Sequence, residues 1–448
     1  MVIKSRKKLA LYGCSGLGVN MLNLMMGSYL CSALLVGGFD EHIESWTYLN
    51  KNLVVATLWG AMILVMKIID GIIDVPVSAM LERIRSKWGK RRPAILIGFV
   101  PMIISYVLFL VPLTPFESFA NTWWFGIGLG VFYCSYTITM LTYYATFSEV
   151  ADNDKDRVFL SNTKSICDVV YFSLGFALIP VFISLGINIR VVALMALPLS
   201  LTMIIPFFLL KEKSTKDCDQ ELTQKPLTLR RSIVVSFKNK AFIFWMFTLC
   251  VMNIGLQLFL GGINELFSST GLNMTFVMAS SFAPVPLTIM VYNRIVKRFG
   301  FGVAYRYILT VFSIGMIIMY VCNINSKSLT EAQLTLIAIL GGIFVSFAIG
   351  AFFSVTYTIP SQLAADEYAR TGHSVSTMYF AVEGLFEGVG AGIATGVILV
   401  FLKSINDISW LPLIVCATCM ICFVLSLAFP KTIAYIGKEH KDEPKQSE

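Results

Sequence analysis

Apolar residues in this chain run in long blocks and do not alternate with polar ones over short periods. The blocks lie at about 9–37, 52–80, 93–113, 122–150, 158–185, 191–210, 241–267, 274–296, 303–324, 331–363, 374–402 and 410–430. A helix needs ~20 apolar residues to cross the hydrocarbon core, and each block supplies about that number or more. Backbone N–H and C=O groups in hydrocarbon have no water to bond, so each spanning block must close its hydrogen bonds on itself as a helix. The pattern therefore predicts an all-α membrane protein with 12 transmembrane helices and short loops.

Composition carries the same message. Of 448 residues 56% are hydrophobic and 14% charged, against ~25% charged in soluble domains, and the mean hydropathy is +0.74. An ordinary cytosolic enzyme is excluded, and little chain remains for a separate soluble domain. The basic stretch Met1 to Lys8 leads into an apolar run with no small-residue cleavage site, so it reads as a retained first span and not a signal peptide.

The net charge of +8 follows from topology. With the N-terminus inside, the Lys and Arg residues fall on the cytoplasmic side except Lys51, Arg190, Lys327 and Lys403 outside, and Lys67 and Lys164 within spans. That positive-inside bias sets both termini in the cytoplasm and the protein in the inner or plasma membrane. Anionic lipid is the natural neighbour of such basic loops, and no nucleic-acid partner is needed to explain them.

The one polar interruption, Lys211 to Lys240, divides the chain into a first six-helix bundle at 1–210, a cytoplasmic linker at 211–240, a second six-helix bundle at 241–430 and a cytoplasmic tail at 431–448. A short internal repeat supports the division: Glu82 to Gly89 aligns without gaps on Asn293 to Gly300, at an offset of 211 residues. Each copy sits in the loop after the second span of its half, where duplication would leave it.

Little in the chain suggests bond-making chemistry. The ten cysteines are scattered, and the Cys-x-x-Cys of Cys419 and Cys422, which Cys416 precedes at the same spacing, lies inside a span with no histidine near. His42, His373 and His440 fall in loops or the tail, so a membrane-embedded enzyme lacks its bases. No organic cofactor is expected.

Charges inside the spans are the informative residues, since each costs roughly 2.5–3.5 kcal/mol in hydrocarbon even on the lenient insertion scale. Lys67, Asp70 and Asp74 fall in the second span, Lys164 and Asp168 in the fifth, Glu265 near the outer end of the seventh, and Glu383 and Glu387 in the eleventh. Asp70 and Asp74 are one helical turn apart, so both carboxylates leave one helix face and can share a monovalent cation or a proton. The competing reading is a fixed ion network in which Lys67 and Lys164 neutralise the pair. The repeat offset sends Asp70 to Ser281 and Asp74 to Val285, which confines the acidic pair to the first half. Glu383 and Glu387 could bind a cationic group, take up a proton, or pair with Lys164.

The stretch Asp70-Gly-Ile-Ile-Asp74-Val-Pro, followed by Arg85-Ser-Lys-Trp-Gly-Lys-Arg-Arg-Pro-Ala-Ile-Leu-Ile-Gly98, resembles the glycoside-pentoside-hexuronide:cation symporter family, typified by the melibiose permease. The likeness continues through Tyr12-Gly13, Tyr136-Thr137, Asp152 to Arg157 and Tyr379-Phe380. The resemblance implies the major facilitator fold, alternating access and coupling to Na+, Li+ or H+. It implies a cation site at Asp70, Asp74 and Thr137, with the family's Asn position occupied by Ile73, which removes one oxygen ligand. At the family's sugar site the acids of helices 1 and 4 are replaced by Asn20 and Met140. Its Trp aligns with Tyr144, its Arg with Lys164 and its Lys with Glu387. The substrate site expected from this likeness and from the charge census is Asn20, Tyr136, Met140, Tyr144, Lys164, Glu383 and Glu387.

The expected function is cation-coupled transport of a sugar or glycoside-like solute by a monomer. The alternatives are a lipid-like or other amphipathic solute on the same fold, or a sensor that transports nothing.

Overall fold

The computed structural model describes residues 3–39, 42–81, 84, 86–89, 91–150, 154–212, 239–268, 274–371 and 376–438. The only regular elements among the described residues are helices, with no strand, and 12 of these are long and apolar enough to cross a membrane. In chain order they are α1 (Arg6–Leu34), α2 (Ala56–Leu81), α3 (Arg91–Phe109), α4 (Phe119–Ala145), α5 (Asp154–Ser184) and α6 (Ile189–Leu209). Then come α7 (Lys240–Ser268), α8 (Phe276–Phe299), α9 (Phe301–Ile324), α10 (Glu331–Thr371), α11 (Ser376–Gly392, carried on through Val400–Ser404) and α12 (Ile408–Leu427). Every expected span is present. The tenth outruns its apolar block because its polar last turns still close their own hydrogen bonds. Most of the polar linker, 213–238, lies outside the described residues.

An even number of spans returns both termini to one end, called here the near end. There the Ile3 amide donates to the Val150 carbonyl and the Phe301 amide to the Ile436 carbonyl. The first six helices pack chiefly on one another, α4 against α2 and α3 and α1 against α5 and α6; among the last six, α9 packs on α10 and α12, and α7 on α12. Contacts between the two sets run through α2 with α11, α5 with α8 and α1 with α7.

Small residues make the central crossing possible. A Cβ on Gly71 would run into the Gly384 carbonyl, one on Gly388 into the Lys67 carbonyl, and one on Gly60 into the Gly396 carbonyl. Three glycine contacts thus hold α2 and α11 backbone to backbone, as apolar solvent requires of helices that have no hydrophobic force to join them. On the adjacent face Phe176 of α5 stacks on Phe282 of α8 with ring centroids 4.3 Å apart.

The internal repeat has a structural counterpart. Gly89 and Gly300, its two final glycines, have φ of +85° and +86°. Each packs on the segment that follows the sixth helix of its set: Gly89 on the Glu212 side chain, Gly300 on the Ala434 carbonyl. Glu212 also accepts from the Arg91 and Arg92 amides at 2.9 and 3.2 Å, answering free N–H groups at the start of α3.

Two charges have partners that their positions in the chain did not reveal. Lys403, expected on the outer side just past its span, sits in the last turn of α11 with 4% of its surface exposed. Lys164, considered as a partner of Asp70, Asp74, Glu383 or Glu387, is bound one turn along its own helix to Asp168.

Gly89→Ala and Gly300→Ala should each cost about 1–3 kcal/mol of stability, because an L side chain in that backbone region is strained. A matching fall in thermal midpoint for the two variants, measured on purified protein, is the expected result. Tolerance of both would show that the repeat carries no structural demand.

Candidate functional site

Between the two sets of helices lies a cavity of about 370 Å³. Its first wall is α2, where the three-residue step from Lys67 to Asp70 keeps both on one face and leaves Gly71 to meet α11. Thr137 on α4 faces this wall, and its hydroxyl donates to Asp70 Oδ1 at 3.3 Å. The Lys67 ammonium lies 4.1 Å from the centre of the Tyr133 ring. Among the described residues it makes no ion pair within 4 Å with Asp70. Of the two cations that could neutralise the acidic pair, Lys164 is engaged by Asp168 and Lys67 leans on an aromatic face. Asp74 continues the α2 helix one turn on, and its side chain lies outside the described residues.

The second wall is α4. Tyr136, Met140 and Tyr144 repeat every four residues and all three line the cavity. Behind them runs a polar chain through three helices. Tyr136 donates its hydroxyl proton to Asn20 Oδ1 at 2.9 Å, Asn20 Nδ2 donates to Asp168 Oδ1 at 3.3 Å, and Asp168 Oδ2 lies 2.5 Å from Lys164 Nζ. Lys164 also stands 5.0 Å from the centre of the Tyr144 ring. Asn20 and Lys164, expected at the substrate site, are not among the residues that line this cavity; Asn20 accepts from Tyr136 and Lys164 faces the Tyr144 ring. Asp168 joins them. It was visible in the sequence as a charge in a span, four residues after Lys164, and that spacing was the available signal.

The second set of helices closes the cavity with Asn253, Leu256 and Gln257 of α7, Phe352 of α10, and Gly384, Glu387, Gly388 and Ala391 of α11. Asn253 Nδ2 donates to the Glu387 carbonyl at 2.6 Å, tying α7 to α11. Asn253 and Gln257 were not expected, since neutral amides in an apolar block carry no charge to mark them. Glu383 does not line the cavity: it is 4% exposed, and its Oε1 is buried without a hydrogen-bond partner. Ile73 packs with Ile138 and Leu141 around Val77 and Ala94, so the position where the family carries an amide is apolar here.

The site therefore gathers Asp70, Thr137, Tyr136, Met140, Tyr144 and Glu387 around one space, with Asn20, Lys164 and Asp168 as support. It offers hydrogen-bonding groups of both signs and two aromatic faces, but among the described residues no cluster of His, Cys, Asp and Glu that could hold a metal ion through three ligands.

Comparison with known proteins gives the chain its relatives. The family model described as MFS/sugar transport protein matches residues 11–428. A curated relative, "Uncharacterized symporter sll1374" of Synechocystis sp. (strain ATCC 27184 / PCC 6803 / Kazusa), is 29% identical over 163 residues, covering 32% of this chain. The chain spans 29% of that relative's length. Among solved structures, that of the nucleoside transporter NupG superposes with a TM-score of 0.63 at 14% identity, covering 97% of this chain and 100% of the other. A bacterial homologue of the human lysosomal transporter Spinster, in an inward-facing and unoccupied conformation, superposes with a TM-score of 0.61 at 10% identity, covering 95% and 96%. At such identities these structures share the fold and nothing more specific.

Asp168→Asn should remove the counter-charge of a half-exposed pair. The expected loss is about 1 kcal/mol of stability, read as a lower thermal midpoint that Lys164→Met in the same chain does not deepen. An additive second loss would show that the two side chains act independently.

Proposed function

The chain belongs to the MFS/sugar transport protein family, and from that premise we propose that it is a cation-coupled symporter of a small sugar or glycoside-like solute. One juxtaposition supports this reading above the rest. Asp70 and the Thr137 hydroxyl stand on the wall of a cavity that lies between two sets of six helices. Substrate and cation would then share one space, and a movement of one set against the other would carry both. Coupling requires that each bind better in the presence of the other, by the same factor.

The rest of the wall suits a hydroxyl-rich solute. Asn253, Gln257 and Glu387 offer donors and acceptors, and the Tyr136 and Tyr144 rings offer faces for C–H surfaces. A volume of about 370 Å³ is near the lower end of the ~300–1,000 Å³ usual for ligand pockets, which favours a compact solute over a long-chain amphiphile. The curated relative is itself named a symporter.

A second reading concerns the ion. Ile73 packs among apolar side chains, so the site supplies one oxygen fewer than a sodium-selective arrangement would use. A proton on Asp70 or Asp74 is the favoured coupling ion, with Na+ or Li+ as the alternatives. On this reading the segments 1–210 and 241–430 are the moving bodies, joined by 211–240, in a monomer of the plasma or inner membrane. The near end faces the cytoplasm.

The test is uptake into proteoliposomes under imposed Na+, Li+ and H+ gradients, crossed with a panel of sugars. Asp70→Asn and Asp74→Asn should each abolish uphill accumulation while leaving exchange of substrate across the membrane. Thr137→Val, which keeps the shape and removes one donor to a charged group, should weaken the cation response by about tenfold. Uptake that stays concentrative and cation-dependent in Asp70→Asn would overturn the assignment. Absence of any saturable flux would favour a sensor.

A further inference from the structure

At the far end, away from the cavity, both sets of helices meet around a buried charge pair. Glu265 of α7 and Lys403 of α11 lie 2.8 Å apart, Oε1 to Nζ, with side chains 0% and 2% exposed. Both residues belong to the second set, so the pair is complete without the first. Ser32, in the last turn of α1, covers it from the other side. Its carbonyl and hydroxyl oxygens accept from Lys403 Nζ at 3.1 and 3.0 Å, and its hydroxyl donates to Glu265 Oε1. The Phe39 ring, just beyond α1, has its centre 4.4 Å from the same ammonium. Gly37 abuts the Lys403 carbonyl and Gly38 the Glu265 side chain, while the Gly38 amide donates to Asn406 Oδ1 at 3.0 Å. Glu265 Oε2 is buried with no hydrogen-bond partner.

This arrangement divides the labour unusually. Parting the two sets of helices at the far end would remove Ser32 and Phe39 from the pair and leave Glu265 bound to Lys403. The pair is therefore not what joins the two sets. Its charges would instead gain water on opening, as would the unsatisfied Glu265 Oε2, and the desolvation of buried ion pairs is what such a gain relieves. Closure rests on the contacts from α1, and hydration of the pair opposes it.

We propose that Ser32, Glu265 and Lys403 form a latch at the far end, in which Ser32 is the closing contact and the buried pair keeps the closed state poised for release. This rests on the alternating-access reading above, and its test does not use transport. Cys31 is 8% exposed and lines the same small cavity as Ser32 and Lys403, so its reaction with a maleimide reports opening of the seam. The reaction is followed on purified full-length protein by peptide-resolved mass spectrometry, needing neither substrate nor coupling ion, so the latch and the proposed transport can fail separately.

Ser32→Ala should speed Cys31 labelling by about tenfold. Glu265→Gln should do the same, because it leaves Lys403 a buried charge without its counter-ion. The double variant Glu265→Leu with Lys403→Met removes both residues that Ser32 bonds across the seam, so it should label at least as fast as Ser32→Ala, and adding Ser32→Ala to it should bring no further rise. Two results overturn the proposal: unchanged labelling in Ser32→Ala, or a further rise when Ser32→Ala is added to the double variant. Circular dichroism and gel filtration establish that each variant is folded. If Glu265→Gln is not, Ser32→Ala alone decides, since it leaves the pair intact.

Discussion

The cost of ionised groups in hydrocarbon shapes this molecule more than any other term. Most charges placed within a span find an opposite charge, a hydrogen-bond donor, an aromatic face or a wet space, with Glu383 Oε1 the buried exception. Lys164 has Asp168, Lys403 has Glu265 and Ser32, and Lys67 has the Tyr133 ring. Asp70 and Glu387 border the cavity, and of these Asp70 has one side-chain donor, Thr137. The charges that the fold satisfies internally hold structure together, and those it leaves facing the cavity are available to a solute or an ion.

Helix approach supplies the second constraint. Lipid gives apolar helices no reason to associate, so α2 and α11 meet through glycines that expose backbone to backbone. That crossing places Asp70 on one wall and Glu387 on the other, within a single space. It runs from Gly71 and Gly384 at cavity depth to Gly60 and Gly396 toward the far end, where the Glu265 and Lys403 pair takes over. Bulk anywhere along this line would separate the walls before it touched a ligand.

The polar chain from Lys164 through Asp168 and Asn20 to Tyr136 links α5, α1 and α4. Tyr136 is followed at once by Thr137, the donor to Asp70. Groups that shape the solute wall and the group that meets the acidic site are thus neighbours on one helix. A rotation of α4 that repositioned one would reposition the other, and on the proposed reading this is how the two ligands would affect each other's binding.

The number and approximate position of the spans and the pairing of Gly89 with Gly300 could be read from the chain alone. Hydropathy sums over consecutive residues, and a duplicated loop keeps its glycine because only glycine accepts that backbone shape without strain. The Asp70 and Thr137 association was also legible, through resemblance to a family motif. Partnerships between distant helices were not. Lys403 looked like an outer-loop cation, yet its carboxylate partner lies 138 residues earlier in the chain, and Asn253 and Gln257 carried no mark of their place on the cavity wall. Whether a side chain inside a span faces lipid, a neighbour or a cavity depends on helix rotation and crossing. Those are set by packing among all the helices together, and no local stretch of sequence contains them.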